Sequence, residues 1–132
     1  MPGYYCLRLD ETSRKALLTA LPPEHEHVIA EHVTLALGSE VDGEAEAALK
    51  AALGQTFTLP VIQNLVDHQG QVAILDGKIL GGLMAPGRVA HVTLSLKEWV
   101  KPSYGKQMAA AWGMVPFQKP LMLITGTVVE VR

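Results

Sequence analysis

The chain of 132 residues is 48% apolar and 18% charged, with a net charge of −2. These values describe one domain, residues 1–132, with a core of its own; they argue against a disordered chain and against a generic coat for long duplex nucleic acid. No run of about 18 apolar residues predicts a membrane span, no basic-then-apolar leader opens the chain, and a lone Cys6 has no internal disulfide partner, so a cytoplasmic protein, monomeric by default, is the expectation.

Charge is divided unevenly. Residues 1–66 hold 4 Lys/Arg against 9 Asp/Glu, and residues 67–132 hold 7 against 4, so an anionic ligand would lean toward the second half.

Taken in chain order, residues 4–9 read as a strand ended by Asp10, which is placed to cap a helix whose apolar stripe is Ala16, Leu17, Leu18 and Leu21. Pro22-Pro23 stops that helix, and residues 24–31 lead into a strand at 32–37. Asp42 and Gly43 open a second helix, about 43–53, ended by Gly54. Strands follow at 56–59 and 61–68, with Pro60 between them marking an edge, bend or bulge, and then at 71–76. Asp76-Gly77 predicts a hairpin turn into a strand at 78–84, and residues 85–88 form another turn. A strand at 91–96, a helix from Tyr104 to Trp112 stopped by Gly113 and Pro116, and a terminal strand at 120–131 with Gly126 at a bulge complete the order. Hairpin signals make the pairing largely antiparallel. The expected fold is α+β and bilobal: two mainly antiparallel sheets with flanking helices, forming a central cleft.

Two of these strands repeat one another. Residues 32–37 read HVTLAL and residues 91–96 read HVTLSL. Five histidines and eight threonines placed at random would give about 0.3 His-x-Thr pairs, so two inside one six-residue frame exceed a bare motif match. Side chains alternate along a strand. His32, Thr34 and Ala36 therefore share one face and Val33, Leu35 and Leu37 the other; in the second copy His91, Thr93 and Ser95 oppose Val92, Leu94 and Leu96.

Each strand thus offers an imidazole beside a hydroxyl. Two histidines facing one cleft supply a base and an acid near neutral pH. Thr34 and Thr93 are placed to donate to the non-bridging oxygens of a phosphate between them. That set suits in-line displacement at phosphorus without a metal. Further candidates for substrate contact are Tyr5, as a stacking platform on the first strand, Ser103 and Tyr104 with Lys101 and Lys106 after the second motif, and Arg88 at the rim. His25-x-His27 reads as a solvent-facing loop pair, not as metal ligands.

The paired motifs resemble those of the 2H phosphoesterase superfamily, which includes RNA ligase-like and cyclic phosphodiesterase domains. The opening strand and helix, the segment KPSYGKQMAAAW and the terminal strand are also similar to that family. The resemblance implies a bilobal fold with both motifs in a central cleft and no cofactor. It also implies metal-independent hydrolysis of 2′,3′-cyclic phosphate ends of RNA or nucleotides. Alternatives are degradation of cyclic oligonucleotide or 2′-5′ linked signals, and a nucleotide- or RNA-binding module without turnover. The length is short for the family, and the resemblance then implies that loops shaping substrate choice are reduced or missing.

Overall fold

A computed structural model describes residues 3–112 and 119–131. Seven strands and three α-helices follow in the order β1 (Tyr4–Leu9), α1 (Glu11–Ala20), β2 (His27–Val28), β3 (His32–Leu37), α2 (Gly43–Ala52), β4 (Thr56–Val66), β5 (Gly70–Leu75), β6 (His91–Leu96), α3 (Ser103–Trp112) and β7 (Met122–Val131). The fold is α+β, and every strand pairing is antiparallel.

The strands run β2-β6-β3-β1-β7-β4-β5, and β5 returns to pair with β6. The expected sheets are therefore joined into one closed, barrel-like sheet. Two joints close it. The first is β4, one continuous strand where two were expected. Its first half pairs with β7 and its second with β5, and the change of partner falls at Pro60 and Val61. Pro60 has no N–H for a ladder, and a strand changing partners is where that loss is tolerated. The second joint is narrow: β3 and β6 share the single register pair Val33↔Val92.

Local chemistry explains the helices. Asp10 Oδ1 accepts the Ser13 N–H at 2.6 Å and Asp42 Oδ1 accepts the Ala45 N–H at 2.8 Å, each capping a first turn. Leu17 of α1 and Leu49 of α2 are buried in the main core with Leu7, Val33, Leu35, Val92, Leu94 and Ile124. A smaller cluster of Val72, Ile74 and Ala109 seats α3 against β5.

Three local expectations change. Residues 78–83 form 3-10 turns instead of a strand: Asp76 Oδ1 holds the Lys78 N–H at 3.0 Å, and Gly81, at φ 52°, turns the chain out of an extended path. Gly126 pairs regularly with Leu9 and Phe57, so it marks no bulge. A β-carbon there would stand 2.7 Å from the Arg8 carbonyl oxygen, and that close approach of β1 requires glycine. Gly113 and Pro116, expected to stop α3, lie outside the described residues.

Candidate active site

The narrow joint is where the two motifs meet. Val33 and Val92 are paired and fully buried. His32 and Thr34 flank Val33 on β3, and His91 and Thr93 flank Val92 on β6. Residues opposite one another share a face in an antiparallel pair. The four polar side chains therefore surround the apolar pair on the far side of the sheet from the core. All four line one cavity of about 290 Å³, together with Ile29, Leu37, Arg88, Pro102, Ser103 and Lys106.

The approach to β3 is shaped by a kink. β2 and β3 run along the same edge of β6. His27 and Val28 pair with Leu96 and Ser95, and the N–H groups of Ile29 and Ala30 bond the carbonyls of Leu94 and Thr93 at 2.8 Å each. By Val33 the partner is Val92, so Glu31 and His32 are extra residues on this side. Ala30 turns the chain there with φ 49°, the one non-glycine at positive φ among the described residues, and it is fully buried. Bulges of this kind re-aim side chains beside active sites, and here the residue they re-aim is His32.

The two histidines differ in their surroundings. The His91 ring donates from Nδ1 to the Val89 carbonyl at 2.8 Å, because a carbonyl can only accept. That fixes the neutral tautomer and leaves Nε2 as the ring atom with a lone pair. Burial pushes His91 below the ordinary histidine range; the Val89 carbonyl opposes this, and the charges of Arg88 and Lys106 add to it. His32 is also held below that range, chiefly by burial, with the Glu31 carboxylate opposing and Arg8 adding. Its ring lies 5.8 Å from that of Tyr4, tilted by 40°.

Helix α3 supplies the wall beside Thr93. Gly105 packs directly on the Thr93 side chain, where a β-carbon would collide with Oγ1. Ser103 and Lys106, on the same helix, line the cavity. Tyr104 does not. Its hydroxyl donates to Asp67 Oδ2, while Asp67 Oδ1 takes the Gln69 and Gly70 N–H groups at 2.8 Å each. Tyr104 thus ties α3 to the β4–β5 hairpin.

Among the sequence candidates, His32, Thr34, His91, Thr93, Ser103 and Arg88 are brought together. Tyr5 is corrected: at 2% exposure it belongs to the core with Leu7 and Leu9, and the tyrosine beside His32 is Tyr4. The polarity of Arg8, two residues from Cys6 and four from Tyr4, is the signal that marks the outward face. The Leu37 expectation also changes. The β1–β3 register steps from Tyr5↔Ala36 to Cys6↔Thr34 and skips Leu35, so Ala36 joins the core and Leu37 turns to the cavity. A one-residue slip inverts every later side chain on a strand. Ile29 and Pro102, which carry no polar signal, complete the apolar wall. His25 is a tether, bonding through Nε2 to the Asp67 carbonyl at 2.8 Å.

No protein-family model matches the chain, and no curated protein matches it. Among solved structures, that of Escherichia coli LigT complexed with 3′-AMP is similar at 18% identity over 98% of this chain and 86% of that one, with a TM-score of 0.43.

Proposed function

We propose that this chain is a metal-independent phosphodiesterase of the 2H phosphoesterase type, acting on 2′,3′-cyclic phosphate ends of nucleotides or RNA. The observation that carries the reading is the gathering of both His-x-Thr pairs around Val33 and Val92 in one cavity. Thr34 and Thr93 donate to the two non-bridging oxygens and stabilise charge as it develops at phosphorus. His91, neutral with its proton held on Nδ1, accepts a proton from water at Nε2. The water oxygen bonds to phosphorus as the bond to one ribose oxygen breaks. His32 gives that oxygen its proton; burial holds its ring below the ordinary histidine range, the Glu31 carboxylate opposes this, and the bound phosphate favours the imidazolium form. The product is a phosphomonoester. Exchange with solvent returns one proton to His32 and removes one from His91.

The cavity, at about 290 Å³, lies at the small end of ligand sites and suits one nucleotide more than a long strand. The test is turnover of a panel in the presence of chelator: 2′,3′-cyclic nucleotides, 3′,5′-cyclic nucleotides, cyclic dinucleotides and 2′-5′ oligoadenylates. Turnover of the 2′,3′-cyclic compounds is expected, and His32→Ala and His91→Ala should each lower it by about 10²–10⁴. Activity abolished by chelator, or wild-type rates in either alanine variant, refutes the mechanism. Nucleotide binding without product identifies a binding module instead.

A further inference from the structure

Arg88 has no part in the reaction just described, yet its position is tightly set. It lies in the turn before β6, and its side chain is only 6% exposed. Its Nε–H donates to Glu40 Oε1 at 2.9 Å, and the same oxygen accepts the Leu37 N–H at 2.7 Å. Glu40 is thus pinned to the end of β3, and Arg88 is pinned to Glu40. A guanidinium has five N–H groups and stays charged. Among the described residues nothing bonds the four on its terminal nitrogens, although the side chain lines the cavity. A charged, planar fork of donors that lines a cavity matches the geometry of an anion, so it marks a place for one.

Lys106, also on the cavity wall, has no ion-pair partner among the described residues; its charge is felt by both Glu40 and His91. Ser103, three residues before it on α3, completes this corner. A diester has two non-bridging oxygens, and Thr34 and Thr93 already address them. The His32 imidazolium balances the single charge of the diester. Arg88 and Lys106 together outweigh Glu40 by one positive charge, and that charge has no counterpart in a nucleoside cyclic phosphate.

Resting on the phosphodiesterase reading, we propose that Arg88 and Lys106, with Ser103 beside them, form a second anion subsite, so that the preferred substrate is a cyclic phosphate carrying another phosphate group. Two sources share that chemistry: a terminal 5′-phosphate on the same nucleotide, and the phosphodiester that links a cyclic-phosphate end to the rest of an RNA.

The experiment compares kcat/KM for adenosine 2′,3′-cyclic phosphate, the same compound bearing a 5′-phosphate, and a dinucleotide ending in a 2′,3′-cyclic phosphate. Wild type should prefer at least one doubly anionic substrate by about tenfold or more, the scale of a charge-assisted contact. Arg88→Lys keeps a charge for Glu40 but lacks the fork, and Lys106→Gln changes an exposed residue; both should collapse that ratio toward one. A wild-type ratio near one overturns the subsite, as does an equal loss on all three substrates, which would put Arg88 on the scissile phosphate. If none of the three turns over, the phosphodiesterase reading fails and calorimetry decides the subsite by itself. Adenosine 3′,5′-bisphosphate should then bind more tightly than 3′-AMP in wild type and lose that advantage in Arg88→Lys; equal affinities overturn it.

Discussion

At the scale of single residues, the cavity is defined by two imidazoles that burial keeps below their ordinary pKa. Each therefore gives up its proton at a lower pH in the free protein than an ordinary histidine does. Acid–base catalysis needs one of each form, so kcat/KM against pH should describe a bell with its maximum below about 6.5, the unperturbed histidine value. Activity falls on the alkaline side as the acid loses its proton, and on the acid side as the base gains one. A maximum above pH 7 would refute the pairing. Stability carries the same sign. The unfolded chain takes up these protons first, so the folded state loses stability as pH drops below about 6.5 through the folded pKa values. A phosphate between the rings favours their charged forms and should raise both midpoints in a histidine NMR titration. The residues involved were legible in the sequence because a strand's period of two fixes sidedness wherever one face is plainly apolar. Tyr4 and Tyr5 were harder, since Cys6 and Leu7 are both apolar and only Arg8 breaks the tie.

At the scale of elements, the strands and helices with clear periodicity or capping residues followed from the sequence, and the irregularities did not. No composition signal announces that β3 skips Leu35 against β1, or that an alanine takes a left-handed conformation at residue 30. These features arise from long-range pairing: β3 must bond β1 on one side while meeting β6 on the other. The kink at Ala30 lies two residues before His32, where the chain passes from its pairing with β6 into β3. A left-handed conformation costs an L-residue about 1–2 kcal/mol, and a β-branched side chain fares worse. Ala30→Gly should therefore keep wild-type turnover, with stability within about 1 kcal/mol of wild type. Ala30→Val should lower both the melting temperature and kcat. A valine variant with normal kcat would show that the kink does not position His32.

At the scale of the whole molecule, the barrel explains why two motifs separated by 59 residues line one cavity. The alternation within HVTLAL and HVTLSL showed which side each histidine faces, but it carries no information on which strands become neighbours. That follows from closure, in which β4 passes from β7 to β5 at Pro60 and Val61 and β5 returns to β6, leaving β3 and β6 to meet at one residue pair. A joint held by one pair is sensitive to the fit of its two valines, and the spacing between His32 and His91 spans that joint. Val92→Ala removes two buried methyl groups and should cost about 1.5–3 kcal/mol. Val128→Ala, on β7 within the same core, is the matched control because Val128 is 1% exposed and lines no part of the cavity. Both variants should lose similar stability in thermal or urea unfolding. Only Val92→Ala should also lose turnover by about tenfold or more, since a misplacement of about 1 Å between reacting groups costs on the order of 10²-fold. Equal activity in the two variants would mean that the joint between β3 and β6 does not set the distance between the histidines.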